Sequence, residues 1–421
     1  MMKQNVWIWN HYATNTFKDK AGRHYWFANN LIKSGYKTTI FCASTIHNSN
    51  ENVDTKGNKY IVGSVNTIPY VFINTSSYYG NGIKRIINMI TFYRNLFPVS
   101  KEYAEENGKP DVIIASSVHP LTLIAGIKIA KKFNVPCICE IRDLWPESIV
   151  IYGALKRDSI SAKILYLGEK WIYKKADKLI FTMEGGRDYI IDQGWDKNNG
   201  GPIDVGNVFY INNGVDIDEF NGNLIKYNIE DVDLDDKAKF KVIYTGSIRK
   251  VNEIEKIIEI AKYLNQEGNN DIKFLIYGDG DDKERLENLC FKDEINNVIF
   301  KGKASKRIIP YILSKSNLNI LHFKQSKLKK YGASLNKIFE YFASGKPVIS
   351  DCEFGYDLIY RYQCGIVIDN GSPKQLAEAI VKLSKMSSDV YNELCVNSII
   401  AAQDYDFKIL TGKLINIIEN A

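Results

Sequence analysis

Between residues 331 and 349 the chain reads Tyr331-Gly332-Ala333-Ser334-Leu335-Asn336-Lys337-Ile338-Phe339-Glu340-Tyr341-Phe342-Ala343-Ser344-Gly345-Lys346-Pro347-Val348-Ile349. Ser334 suits the N-cap of a helix. The bare N–H groups of Leu335 and Asn336, with the ammonium of Lys337, then offer positive potential to a diphosphate. Glu340 lies three residues beyond Lys337 and shares its helical face, where a carboxylate can accept both hydroxyls of a ribose. One helix would thus grip a nucleoside diphosphate. The same residues equally suit an exposed Lys337–Glu340 ion pair on a helix whose Ile338, Phe339 and Phe342 pack inward.

Three further segments carry chemistry at the ends of apolar runs. Ala21-Gly22-Arg23-His24 opens a helix after the run Val6 to Trp9. Gly22 there lets an anion approach backbone N–H groups, or serves as a plain turn glycine. Ser116-Ser117-Val118-His119-Pro120 follows Val112 to Ala115. It offers His119 as a neutral partner for a sugar hydroxyl or a developing charge, or as a loop histidine. Glu140-Ile141-Arg142-Asp143-Leu144-Trp145-Pro146-Glu147-Ser148 follows Pro136 to Cys139. Isolated buried charges are too costly to retain, so these residues, Arg142 and Asp143 among them, either pair with one another or face substrate. A fourth segment, Gly82 to Pro98, sets Ile83, Ile86, Ile87, Ile90 and Leu96 with Phe92, Tyr93 and Phe97 beside Lys84, Arg85 and Arg94. That pattern fits a basic amphipathic helix in a membrane interface as well as one packed on its own sheet.

The elements that must position these residues alternate. Short β-branched runs (Val6 to Trp9, Thr38 to Cys42, Val112 to Ala115, Pro136 to Ile141, Lys178 to Thr182) are separated by helical periodicity. A second series runs from Phe240 through Lys273 to Tyr277, Asn297 to Phe300, Leu318 to Leu321, Pro347 to Ile349 and Gly365 to Ile368. This is the pattern of an α/β protein with two doubly wound, Rossmann-like domains. Residues 1–210 form the first, 211–400 the second, and 401–421 a helix returning to the first; Asp196 to Asp236, rich in Asn, Gly and Asp, reads as the linker. Ligands of such sheets bind beyond the strands' carboxyl ends, where the segments above fall.

At 421 residues, 45% hydrophobic and 25% charged, the chain is too long for a single small binding module and too apolar for disorder. A net charge of +6 is too mild to imply nucleic acid. The seven cysteines are scattered and odd in number, which suits thiols in a reducing compartment rather than disulfides or zinc. With neither a spanning run nor a signal-peptide pattern, cytoplasmic residence is expected.

The whole chain resembles the family 4 retaining glycosyltransferases of the GT-B fold, especially bacterial enzymes of surface polysaccharide and lipid-linked glycan synthesis. The likeness rests on Asn10-His11-Tyr12 with Gly22-Arg23-His24-Tyr25, His119-Pro120, Ile141 to Ser148, Asn212 to Asp216 before Phe220, Tyr244-Thr245-Gly246-Ser247-Ile248, Tyr277 to Gly280, Val298 to Gly302, and Ser334 to Ile349. It implies a UDP-sugar donor and a lipid-linked or saccharide acceptor, without cofactor or metal. Glu340 matches the second glutamate of the family's E-x7-E motif, the ribose ligand. Ser334, Leu335, Asn336 and Lys337 match the segment that contacts the diphosphate. His119 matches the histidine that meets the donor sugar, Gly22 the glycine loop at the leaving group, and Gly302 with Lys303 the backbone that recognises the base. Where the motif's first glutamate belongs, this chain has Gly332. Where its basic pair belongs there are Ser247 and Asn252, with Arg249 and Lys250 beside them as substitutes. The departure at Gly332 leaves open a catalytically silent nucleotide-sugar-binding subunit. A nucleotide-sugar epimerase or hydrolase on the same fold is a further alternative. Lys84, Arg85, Arg94, Arg142 and Asp143 mark the acceptor or membrane side.

Overall fold

A strand covered on both faces must be apolar at every position rather than at alternate ones, and Val6, Trp7, Ile8 and Trp9 are all buried. They lie in β1 (Asn5–Trp9) at the middle of the first sheet of a computed structural model that describes every residue except 1–3, 48, 50, 79 and 81, and the side chain of 251. The sheet continues with β2 (Lys37–Ala43), β3 (Tyr60–Val65), β4 (Ile68–Ile73), β5 (Val112–Ser116), β6 (Cys137–Ile141), β7 (Lys178–Phe181) and β8 (Val208–Tyr210), in the order β3-β4-β2-β1-β5-β6-β7-β8. All neighbours are parallel except the β3–β4 hairpin.

The second sheet is parallel throughout: β9 (Phe240–Thr245), β10 (Ile272–Tyr277), β11 (Val298–Gly302), β12 (Leu318–Leu321), β13 (Val348–Ser350) and β14 (Gly365–Val367), ordered β11-β10-β9-β12-β13-β14. Strand order reverses at β1, which lies between β2 and β5, and at β9, which lies between β10 and β12. Such switch points open crevices beyond the carboxyl ends of the strands. The helices used below are α1 (Arg23–Lys33), α2 (Ile83–Asn107), α3 (Pro120–Phe133), α4 (Ile160–Lys175), α5 (Asn336–Ala343) and α6 (Phe407–Glu419).

Two compact units result. The first comprises Met1–Asn212 with Phe407–Ala421, the second Asn213–Asp406. The returning segment is therefore α6 alone, which rests on α1 through a Phe27–Phe407 ring contact at 5.6 Å and a hydrogen bond from Asn30 to Thr411.

Three expectations require correction. The stretch 196–236 is no bare linker, because β8 pairs with β7 and a helix over Ile217–Lys226 follows, its N-cap Asp216 accepting from the Glu219 N–H at 2.8 Å. Helix α2 does not stop at Pro98 but runs on to Asn107. Phe92, Leu96, Val99 and Tyr103 are buried along it, and this packing outweighs the helix bond that proline cannot make. Phe92 and Leu96 are accordingly core residues, not part of an outward apolar stripe.

Candidate functional site

In the first unit the charged residues that sequence places at strand ends are tied to one another. Glu140, in β6, is buried and accepts from Arg23 Nε at 2.7 Å, His24 Nε2 at 2.9 Å and Ser116 Oγ at 2.7 Å. Arg23 and His24 hold its carboxyl well below the usual range against the opposing effect of burial. His24 takes its other bond from Asn10 Nδ2 at 2.8 Å. The remaining Arg23 donors reach the carbonyls of Asn212 and Ile211. Gly22, the N-cap of α1, has φ +103°, and a Cβ there would stand 3.2 Å from Thr16. The Arg23 and His24 side chains of the turn it opens are thus spent on an internal network.

Arg142 is half-buried, and its backbone N–H donates to Ser117 Oγ at 2.9 Å. Asp143 is exposed. With Ser117, His119, Trp145 and Glu169 it lines a small cavity that is partly open to solvent. Burial pushes the Glu169 carboxyl up to about 8 although it accepts from the Tyr173 and Tyr189 hydroxyls at 2.7 and 2.8 Å. His119 is 3% exposed, and its Nε2 lies 2.7 Å from His11 Nδ1. His11 Nε2 in turn lies 2.7 Å from Asn88 Oδ1 on α2. His119 Nδ1 is buried without a partner among the described residues.

Along α2 the structure separates the predicted stripe. Ile83, Ile86, Ile87 and Ile90 are exposed, as are Lys84 and Arg94. Arg85 is not on that face: half-buried, it donates to the Tyr12 hydroxyl at 2.9 Å and sits over its ring. A second apolar stripe, Ile160, Ile164, Leu167 and Trp171 on α4, is also exposed, with Lys163 and Lys174 beside it. Both helices pack against α3.

In the second unit the groups are assembled but left open. Lys337 Nζ donates to the Tyr244 hydroxyl at 3.0 Å and lies 4.1 Å above that ring. A Cβ on Gly246, the residue after β9, would fall 2.7 Å from this ammonium, and Gly246 has φ +149°. Burial lowers Lys337 to about 8. Glu340 is half-buried and, among the described residues, bonds to no donor. Burial raises its carboxyl to about 7, against the pull of Lys306 and Lys337. No Lys337–Glu340 ion pair forms.

Ser334 is not the N-cap. Leu335 holds that position without a side-chain bond. Asn213 Nδ2 donates to Ser334 Oγ at 2.9 Å and to its carbonyl at 3.2 Å, which withdraws the hydroxyl from the N–H groups of α5. Leu335 and Asn336 still open the helix as expected. Arg249 and Lys250 are exposed at a single 3-10 turn, Lys250–Asn252, that Asn252 ties to Ser247. Neither makes an ion pair among the described residues. Gly302 closes β11 with φ +72°, its carbonyl taking the Gly278 N–H at 2.8 Å, and Lys303 beyond it is exposed. Gly278 and Gly280 could carry no side chain, since a Cβ would lie 1.8 Å from Gly246 O and 2.0 Å from Ile248 O. The turns after β9, β10 and β11 are knitted together by these approaches. Gly332 has φ +92°.

Sequence reading named His11 only within the resemblance at Asn10-His11-Tyr12 and gave it no role, and it did not single out Asn88, Glu169 or the cluster of His322, Asp351 and Lys256, in which Asp351 accepts from both partners at 2.6 and 2.7 Å. Each is isolated in sequence, so nothing local marked it.

Two family models divide the chain between them. The model described as Glycosyltransferase Family 4 matches residues 25–219, and that described as Glycosyl transferases group 1 matches residues 227–403. The chain belongs to the family 4 glycosyltransferases. Its fold is GT-B. A curated relative, an uncharacterized glycosyltransferase of Methanocaldococcus jannaschii, is 25% identical over a match spanning 55% of this chain and 55% of that protein. Among solved structures, the family 4 chain superposes on sucrose-phosphate synthase from Thermosynechococcus elongatus with a TM-score of 0.69 at 15% identity, covering 98% of this chain and 97% of that one. For the E. coli structure described as trehalose-6-phosphate bound with UDP-2-fluoro glucose the TM-score is 0.72 at 10% identity, with 99% of each covered. Anabaena HepE in complex with UDP and glucose gives 0.65 at 14%, covering 99% and 100%. These likenesses show the fold.

Proposed function

We propose that the chain transfers a sugar, with retention at the anomeric carbon, from a UDP-sugar to a lipid-linked or saccharide acceptor in surface glycan synthesis. One observation carries this reading. At the switch point of the second sheet, a half-buried ammonium bonded to the neutral Tyr244 hydroxyl sits where Gly246 leaves room for it, and a half-buried carboxylate on the same helix has no partner among the described residues; neither has a counter-charge in contact. A protein keeps such groups unmatched at a cost. A nucleoside diphosphate satisfies both, its phosphates facing Lys337 and the N-terminus of α5, its ribose hydroxyls donating to Glu340, and its base meeting the backbone at Gly302 and Lys303. UDP and a UDP-sugar analogue are bound in the solved relatives named above, which supports the choice of nucleotide.

When the bond from sugar to phosphate breaks, negative charge grows on the diphosphate. Lys337, Arg249 and Lys250 stabilise it without reorganisation, with no metal needed, and Gly22 lets backbone approach the leaving group. His119 takes a sugar hydroxyl. The acceptor attacks on the face the phosphate leaves, and the phosphate receives its proton, so that no protein base is required. Asp143, which lines the cavity of the first unit, and Arg142 next to it in sequence lie on the acceptor side.

No helix of the described residues is long and apolar enough to cross a membrane. We assign the protein to the cytoplasm, peripheral on an anionic leaflet through the exposed stripes of α2 and α4 with Lys84 and Arg94. Gly332, which cannot supply the sugar contact of the motif's first glutamate, favours one other reading, a silent nucleotide-sugar-binding subunit. Incubating the protein with UDP-sugars and with lipid diphosphate or saccharide acceptors decides. Acceptor-dependent release of UDP supports transfer, binding without turnover the silent subunit, and no binding of UDP overturns both.

A further inference from the structure

The three buried groups Asn88, His11 and His119 form a chain of hydrogen bonds whose direction is fixed at one end. Asn88 Nδ2 donates to Thr45 Oγ1 at 3.1 Å and to the Ser76 carbonyl at 2.5 Å, so its oxygen is the atom that faces His11. An amide oxygen only accepts. His11 Nε2, 2.7 Å away, must therefore carry a proton. Burial, the neighbouring imidazole and the Arg85 guanidinium hold His11 well below its ordinary value, and burial with Arg85 pushes His119 down to about 3. Both rings are neutral, each with one N–H. Since the His11 proton is on Nε2, its Nδ1 is a bare acceptor, and the 2.7 Å contact is closed by a proton on His119 Nε2. His119 Nδ1 is then left with a lone pair. It is this nitrogen, in a ring lining the cavity, that has no partner among the described residues.

We propose that Asn88 and His11 are positioning residues that lock His119 in the Nε2–H tautomer, so that its Nδ1 accepts a hydrogen bond from a hydroxyl of the bound sugar, which keeps its proton. The inference rests on the transferase reading for the identity of the ligand but not for the tautomer. It has a chemical consequence. A bare nitrogen cannot donate to a phosphate or carbonyl oxygen, so His119 neither neutralises the leaving diphosphate nor acts as a general acid. It selects a ligand that presents O–H. An unsatisfied buried acceptor is costly, and a hydroxyl arriving at Nδ1 recovers that cost only if the relay keeps the proton on the other nitrogen.

The test reads the tautomer directly. With five histidines in the chain, full-length protein labelled with 15N-histidine gives a resolvable long-range proton–nitrogen spectrum, and His119→Gln assigns the His119 signals. The expected wild-type pattern is protonated Nε2 with bare Nδ1, and protonated Nδ1 overturns the proposal. In Asn88→Leu the His119 nitrogens should show exchange between tautomers. If the variant folds and keeps the wild-type pattern, Asn88 has no positioning role; if it does not fold, the wild-type spectrum alone decides. Titration then identifies the ligand group. UDP should leave Nδ1 unchanged, whereas at least one of UDP-glucose, UDP-galactose and UDP-N-acetylglucosamine should shift it. An unmoved Nδ1 with all three, in protein that binds UDP, removes the hydroxyl assignment. Failure to bind UDP at all falls on the transferase reading instead and leaves the tautomer result standing.

Discussion

Glu140 and Glu340 are both carboxylates near the carboxyl ends of a parallel sheet, and their surroundings are opposite. Glu140 is met by a guanidinium, an imidazole and a hydroxyl, and is held ionised. Glu340 bonds to nothing among the described residues, and burial raises its carboxyl to about 7. A charge whose donors come from its own chain belongs to the architecture. One that the fold shelters without donors is waiting for them from outside. The two also differ in what removal would leave behind: an orphaned Arg23 in one case, a less strained helix in the other.

The comparison breaks most readily at Glu140. Glu140→Ala leaves Arg23 buried and uncompensated, and should lower stability by about 3–5 kcal/mol, read from the urea midpoint. A loss under 1 kcal/mol would mean that the network is incidental. At Glu340 the expectation is reversed. Glu340→Gln should leave the thermal midpoint unchanged or raise it, while weakening UDP binding by about 1.5–3 kcal/mol in calorimetric titration. Destabilisation with UDP affinity intact would assign Glu340 to the architecture too.

The same residue sets a pH signature of definite sign. Its carboxyl stands at about 7 in the fold against 4.5 when free, so its contribution to stability is full below about 4.5 and is lost as the pH rises through 7. Ribose hydroxyls need the carboxylate, so UDP affinity should fall as the pH drops below 7, and Glu340→Gln should flatten that limb. A wild-type affinity constant from pH 8 to 5.5 contradicts the assignment.

Smaller effects are expected at exposed cations. Arg249→Ala with Lys250→Ala should lower turnover roughly tenfold, about 1.4 kcal/mol, and donor affinity less; a loss confined to donor affinity makes them ground-state ligands. Lys84→Ala and Arg94→Ala should each weaken attachment to anionic liposomes by about 1 kcal/mol, measured by co-sedimentation. Unaltered sedimentation in the double variant removes the α2 face from the membrane role.

What was legible in sequence follows from where the information lies. The central strands announce themselves because both faces are covered and every residue of a run such as Val6 to Trp9 is apolar. Strand β3 was missed because only one of its residues, Val65, is buried, and β8 because three residues carry no period. Lys337 and Glu340 could be placed on one helix because helical spacing is local. The loss of Ser334 to Asn213 was not legible, since the two are 121 positions apart. Nor was the Glu140 cluster, whose donors Arg23 and His24 lie more than a hundred positions upstream. The turn from stripe to core at Phe92 and Leu96 shows the same limit, because amphipathicity gives a face but not what lies against it.

The return of α6 to α1 bears on the order in which the chain can fold as it is made. The second unit is continuous, from Asn213 to Asp406, and can close as soon as it clears the ribosome. The first unit is synthesised earlier yet lacks Phe407, Leu410, Leu414 and Ile418, all buried in the finished protein, until translation has passed them. At 5–20 residues per second the interval is roughly 10–40 s. Throughout it the Phe27 ring lacks its Phe407 partner, and the unit finished last is the one begun first.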